Sequence, residues 1–518
     1  MKNIYSVLFL FTFSNFLYSQ PILDWEFNST AAYNYYPTTN IIHTDHGTYI
    51  CSQSIDINES VYIFRLDDTG NIINQDSIHH FTYSILGSKR MIIDNDGSIY
   101  LCGRILNPLQ HGKIRVIKYD SLLNKLWDTI LMDSLPNDYS INGILYSKNE
   151  DNIYLITNKY DGNDRLAIIK LETNGNILWE SIDTVHNNIS LVTYVLDNAG
   201  NVILGGYGFV SGNGEDFIIS KIDTSGQVAW YINEDGSNHS DDAVMDLCID
   251  NLNNISAIGR FDDTIPNKVI KYNTEGVKIW TRALSDISLP KISSDEAGGI
   301  YIAGFDSVAE HECVIYKFDS TGNHFSFNYS NIPNHSAYTS DYFVNIQTDD
   351  SANVYILNNV DSIHNKKWFV AKFDSSLNLK WSFIYPETIP NPSTSSSLCL
   401  IDGGFTVSGA INNFGQLRVL QFHETFPTKI QKTESIESNN CWPNPTSALI
   451  YFNLENEVLK NSVFKLYDMQ SKLLFQDNIR TDNKNIFSLN LSSFPAGVYL
   501  INLKSENRNI NYKLIKKD

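Results

Sequence analysis

Residues 222–230 read IDTSGQVAW, and the same phrase returns as YDSLLNKLW (119–127), LETNGNILW (171–179) and YNTEGVKIW (272–280). The phrase specifies a tight hairpin. Asp223 can accept hydrogen bonds from the N–H groups of its own turn, and Gly226 can take positive φ without a Cβ penalty. Where Gly is missing, in DSLLNK and DSSLNL, Asn124 and Asn378 follow one residue later and are expected to take the left-handed conformation, which Asn tolerates best after Gly. The closing Trp is expected to pack between neighbouring units, where a buried indole contributes about 3 kcal/mol or more.

Working outward from this hairpin gives the repeating unit. LVTYVLD (191–197) is an apolar, β-branched run; NAG turns it, and NVILGGYG returns. A variable loop leads to DFIISKID (216–223), and the hairpin above supplies the last strand. The unit therefore has four strands, two tight hairpins and two longer connections. Eight copies are centred on Arg65, Lys118, Lys170, Lys221, Lys271, Lys317, Lys372 and Gln421, at a mean spacing of about 51 residues. Four-stranded sheets in this number close radially into a β-propeller. The eighth copy has three strands and no Trp strand, whereas ILDWEFN (22–28) begins no copy. The strand of Trp25 is thus expected to complete the last blade and close an eight-bladed ring. A seven-bladed ring, with one copy discarded, is the alternative.

Composition agrees with an all-β chain of 518 residues: 42% hydrophobic and 12% aromatic, with 29 Tyr and 27 Phe. A net charge of −20 disfavours nucleic-acid binding, which needs a basic patch. At the start, Lys2, the apolar run 4–16 and Ser19 have the order of an export signal cleaved near 19–20. No later stretch is apolar enough for a transmembrane helix in the mature protein. The six cysteines match no metal-binding spacing. Cys51 and Cys102 share one repeat position with Ile156, Gly205, Ile258, Ala303, Leu357 and Ser408, which reads as a packed interior site holding free thiols. The expected organisation is signal peptide 1–19, propeller 22–424, polar linker 425–440 and a small Ig-like β-sandwich 441–518.

The tail carries WPNPTS, LSSFPAGVYLINL and the basic end YKLIKKD. In order and spacing, Pro443, Asn444 and Pro445, then Pro495, Ala496, Gly497 and Tyr499, then Lys513, Lys516 and Lys517 resemble the C-terminal sorting domain of the type IX secretion system of Bacteroidota. Trp442 replaces the family's usual Tyr, and the DMQSK turn lacks its usual Gly. The resemblance implies passage through the outer-membrane secretion machinery, as partner of residues 441–518. It usually also implies removal of the domain and attachment to surface lipopolysaccharide, hence a secreted or outer-membrane-associated location. The repeats likewise resemble bacterial repeat propellers that accompany such tails, a resemblance that says little about ligand.

In this topology both tight hairpins of each blade lie on one rim and the longer connections on the other. The variable rim comprises 104–113, 181–190, 232–243, 260–267, 327–341 and 383–397, and variable loops on a rigid scaffold are where function usually resides. Eight histidines fall in loops (His79, His80, His111, His186, His239, His311, His335, His364) without the short spacings of a zinc site. The densest acidic loop holds Asp235, Asp241 and Asp242, with Asp262 and Asp263 one blade on. These are the candidates for calcium, although no EF-hand spacing is present and no other cofactor is evident. There is no GxSxG elbow, no phosphate-cradling Gly loop and no locally paired Cys–His, so no residue is assigned a catalytic role. The expectation is a non-enzymatic module binding an extracellular glycan or protein. The alternative is a polysaccharide hydrolase or lyase, which needs only two carboxylates brought together in space.

Overall fold

The computed structural model describes the strands and tight turns of residues 21–424 and 441–517. Outside the described residues lie 1–20, 425–440, 518 and the segments 30–34, 55–59, 80–89, 107–110, 132–137, 183–188, 210–213, 262–266, 307–312, 330–341, 386–393, 412–415, 443–448, 454–462, 468–472, 479–485 and 505–508, with single or paired residues elsewhere. The chain forms two compact units, one spanning Pro21–His423 and the other containing Glu424–Asp518.

The first unit is a propeller of eight four-stranded antiparallel sheets. Seven blades are continuous in sequence: 35–78, 91–131, 138–182, 189–234, 243–284, 287–329 and 342–385. The eighth combines Thr394–Ile401, Gly404–Ile411 and Gln416–His423 with Ile22–Asn28, and Trp25 stands opposite Gln421. The orphan N-terminal strand therefore closes the ring, as the sequence demands. Arg418 holds it with an ion pair to Glu26 at 3.1 Å and a hydrogen bond to Asn28 Oδ1 at 2.6 Å. All eight repeat centres fall on the third strand of a blade.

The core lies between blades rather than at one centre. Strands such as Ile255–Arg260 are buried on both faces because each sheet packs against two neighbours. Among the described residues, eight buried clusters occupy the eight blade junctions. At five of them a Trp from one blade lies over the turn Gly of the next: Trp25 on Gly70, Trp127 on Gly175, Trp179 on Gly226, Trp230 on Gly276 and Trp280 on Gly322. A Cβ at Gly226 would stand 3.0 Å from the Trp179 ring, and at Gly70 2.7 Å from that of Trp25. The indole N–H of Trp127, Trp179, Trp230 and Trp280 donates to a carbonyl of the same turn, at 3.0–3.3 Å. The turn glycine thus serves two needs, a φ near +87° at Gly226 and room for the neighbouring indole.

The expectation for Asn124 and Asn378 is corrected. Positive φ falls on Leu123 and Leu377, at 62° each. The left-handed position is fixed by counting three residues from the turn Asp, whatever side chain is there. Asn124 instead returns its backbone N–H and its Nδ2 to the two oxygens of Asp120, each at 2.8 Å. Leu in this conformation costs about 1–2 kcal/mol, but both leucines are buried in a blade junction. The preceding blades explain why. At the position opposite the repeat centre, where the others carry Trp, they carry Asn74 and Phe325. A leucine from the turn occupies the junction that lacks an indole.

The repeated lysines have a second role that the sequence does not disclose. Lys118, Lys170, Lys221, Lys271 and Lys372 pair with Asp94, Glu150, Asp197, Asp250 and Asp349 at the other hairpin of their own blades, at 2.9–3.7 Å. Lys170, Lys221 and Lys271 also donate to carbonyls of the next blade, at 3.0–3.2 Å. These ion pairs, each with at least one buried partner, tie both hairpins of a blade to each other and, through the lysines, to the neighbouring blade.

In the second unit, one sheet contains Cys441–Trp442, Leu449–Asn453 and Ile486–Asn490. The other contains Leu473–Asn478, Val463–Tyr467, Gly497–Lys504 and Asn509–Lys516. Alternate residues Tyr499 and Ile501 are buried, as are Leu489 and Leu491 on either side of Asn490. Among the described residues no helix is long and apolar enough to cross a membrane.

Candidate functional site

The order of strands within each blade assigns the two rims. Tight turns join strands one to two and three to four on one rim, and the connections from strand two to three and from blade to blade lie on the other. The tight rim is saturated by its own hydrogen bonds. Asp223 Oδ1 accepts from the N–H groups of Ser225 and Gln227, each at 2.9 Å, and from Ser225 Oγ at 2.7 Å. In the equivalent turn, bonds from Thr321 and Asn323 bring the Asp319 carboxyl down to about 2.

Of the variable connections, 232–243 is described except at residue 240, whereas the centres of 104–113, 181–190, 260–267, 327–341 and 383–397 lie outside the described residues. This acidic connection folds back on the start of the third strand of blade 4. Asp242 N–H donates to Glu215 O at 2.5 Å, and Glu215 N–H donates to Asp241 Oδ1 at 3.3 Å. Asp242 is buried and its Oδ2 accepts from Gly236 N–H. Asp235 pairs with His239 Nδ1 at 2.5 Å, and His239 holds a φ of 52°.

Asp216 lies at the foot of this loop, with no exposed surface. Its Oδ2 accepts from Asn233 Nδ2 at 2.9 Å, while its Oδ1 has no hydrogen-bond partner among the described residues. Burial raises its carboxyl above the usual range; the Asn233 bond opposes this, and the charge of Asp235 adds to it. Sequence reading passed Asp216 over as an ordinary strand residue. The signal available was a carboxylate immediately ahead of the apolar run 217–219.

The calcium candidates Asp235, Asp241 and Asp242 thus share one loop, where Asp241 and Asp242 accept hydrogen bonds from backbone N–H groups and Asp235 meets His239. Asp262 and Asp263 lie outside the described residues. Among the described residues, no three of His, Cys, Asp and Glu converge as a metal site. The loop histidines that are described do not gather. His79 meets Ser60 Oγ at 2.8 Å, His111 pairs with Asp138 at 3.5 Å, and His239 meets Asp235 in a different blade. His80, His186, His311, His335 and His364 lie outside the described residues. Cys51 and Cys102 are buried and in no disulfide among the described residues, and burial pushes Cys102 up to about 11.

In the C-terminal unit, the motif residues form a local knot. Tyr499 Oη donates to Pro495 O at 2.6 Å, next to the exposed Ala496 and to Gly497, which opens the strand. Lys516 Nζ reaches back to Phe494 O at 2.6 Å, and the Phe494 and Tyr499 rings meet edge to face at 6.1 Å. Lys517 is exposed, Lys513 lies on the last strand, and Pro443, Asn444 and Pro445 fall outside the described residues.

A family model described as a secretion system C-terminal sorting domain matches residues 440–517. No curated protein matches the chain. Among solved structures, the chain is similar to the Dos1 propeller, at 13% identity and a TM-score of 0.46, covering 77% of this chain and 95% of that one. It is also similar to a puromycin hydrolase at 9% identity and 0.41, covering 73% and 58%. A protein of unknown function from Dyadobacter fermentans is similar at 8% and 0.33, covering 55% and 94%. Residues 440–517 are a type IX secretion C-terminal sorting domain, carried behind an eight-bladed β-propeller.

Proposed function

We propose that this chain is an exported module whose propeller binds an extracellular glycan or protein through its variable rim, non-enzymatically, after delivery by the sorting domain to the cell surface or the medium. One observation carries the reading. The recurring side chains are engaged in closing turns (Asp) and in holding blades together (Gly, Trp and Lys), whereas the 232–243 connection is ordered by residues that no other repeat shares. Blade-specific loops on a closed, rigid scaffold suit recognition. The sorting domain supports type IX machinery as partner and an exported location; surface retention through the outer membrane belongs to the proposal.

Glycan-array binding by the purified propeller, run beside turnover assays on polysaccharides, tests the binding reading. Binding lost on changing 232–243 but kept on changing the tight turns supports it. The hydrolase reading has one observation in its favour, a buried carboxyl held above its usual range beside a second carboxylate, Asp235. Turnover abolished by Asp216→Asn or Asp235→Asn would replace the binding reading. For export, deletion of 441–518 should retain the propeller in the periplasm.

A further inference from the structure

We infer that the variable rim of blades 3 and 4 is a carbohydrate site in which Tyr160 and Phe209 stack on the sugar rings of a neutral oligosaccharide; this deepens the proposed binding function and rests on it. The second strands of blades 2, 3 and 4 end at Leu106, Tyr160 and Phe209, four residues beyond Cys102, Ile156 and Gly205 of the shared interior position. Second strands run from the tight rim to the variable rim, so all three residues stand at the variable rim. They are 52%, 55% and 64% exposed, and none belongs to a buried cluster among the described residues. The position recurs, but each side chain occurs once. In the other blades it is Ile55, Asp262, Ser307, Asp361 or Asn412, so aromatic rings occupy it only in two adjoining blades. The other large exposed ring among the described propeller residues, Tyr231, lies on an outermost strand.

The surroundings of the two rings select the ligand. Phe209 stands opposite Glu215 in the strand pair, and Glu215 N–H donates to Asp241 Oδ1 at 3.3 Å, which joins this position to the 232–243 connection. Glu215 is partly exposed and Asp241 exposed, and carboxylates accept several hydrogen bonds each. Beside Tyr160, Lys159 pairs with Glu180 at 3.2 Å, and the partly exposed Arg165 stands opposite Lys159. A sugar ring offers an apolar C–H face and a rim of hydroxyls, so an aromatic ring takes the first and flanking charged groups take the second. A protein partner would need a continuous contact of about 800 Å² with an apolar centre, whereas these rings are set apart among charged groups. The net charge of −20 and the carboxylates around Phe209 repel uronates and sulfates. A neutral glycan satisfies both conditions.

The purified full chain is tested on an array of neutral hexose and N-acetylhexosamine oligosaccharides, with uronate-bearing glycans, sulfated glycans and peptides beside them. Neutral oligosaccharides should be captured. Tyr160→Ala and Phe209→Ala should each weaken the captured one by about tenfold or more, with circular dichroism confirming the fold. Phe209→Leu, which keeps apolar bulk without a ring, should lose as much as Phe209→Ala. Tyr160→Phe and Phe209→Tyr, which keep the ring, and Tyr231→Ala on the outermost strand should bind as the parent does. Parent-like binding by both alanine variants, or capture of acidic glycans or peptides alone, overturns this site and leaves the binding reading standing. Capture of nothing on the array removes the binding reading and this site with it.

Discussion

Exchanging one junction type for the other provides a quantitative test of how the blades interlock. Gly226→Leu places a side chain at a φ of +87° against the Trp179 ring, with a Cβ contact of 3.0 Å. The left-handed conformation costs about 1–2 kcal/mol, and overpacking the junction about 1–3 kcal/mol more. Trp179→Asn removes the indole and its hydrogen bond to Thr224 O, at about 3–5 kcal/mol by large-to-small precedent. Independent effects would place the double variant about 5–10 kcal/mol below the parent. The double variant, however, rebuilds the Asn74–Leu123 junction, in which the leucine fills the vacated space and regains about 1.5–3 kcal/mol of burial while the clash disappears. A double-mutant cycle in urea, followed by circular dichroism, should therefore show a coupling of about 3 kcal/mol or more in favour of the pair. Additivity within about 0.5 kcal/mol would refute the claim that turn residue and neighbouring aromatic are chosen together.

Four further outcomes follow from the same geometry. Removing one member of the most buried ion pair, by Lys271→Met, leaves Asp250 unpaired and should cost about 3–5 kcal/mol, with part recovered in Lys271→Met/Asp250→Leu; denaturant midpoints check it. At Asp250 burial pulls upward, but the bonds from Lys271 and Asn254 prevail and hold the folded-state carboxyl below its usual range, as comparable bonds do at Asp197. Their stabilisation is present above the unfolded value near 3.9 and is lost as pH falls through the lower folded value, so melting temperature should drop below about pH 4. Asp216 has the opposite sign: its folded-state carboxyl is raised, so ionisation weakens the fold as pH climbs through the window above about 4, and Asp216→Asn should raise the melting temperature at pH 7. Deleting residues 21–29 removes the closing strand and exposes the edge of Gln416–His423, so limited proteolysis should cut blade 8 well before the others.

What the sequence disclosed, and what it withheld, follows from the range of the interactions concerned. The blade count and the closing role of Trp25 were legible because each hairpin is specified within a few residues by Asp, Gly and Trp, and a three-stranded last copy needs a fourth strand from somewhere. The left-handed Leu123 was not legible from its own turn, because its justification is Asn74 in the preceding blade, about fifty residues away. The lysines were visible as a repeat, yet their acidic partners belong to the other hairpin, and only the folded blade brings the two together. Asp216 was missed for a related reason, since its burial is created by a loop that returns from Asp235 to Asp242 and covers it. Repetition is itself the limit. Eight copies supply an internal comparison for every residue that maintains the ring, so structural side chains are identified by recurrence. On the proposed reading, a variable-rim residue that contacts a ligand occurs once and has no copy to be compared with. The chemistry of the variable rim is therefore written in the part of the chain where the repeat is silent, and the buried, half-satisfied carboxyl of Asp216 became visible only when the fold placed it beneath its loop.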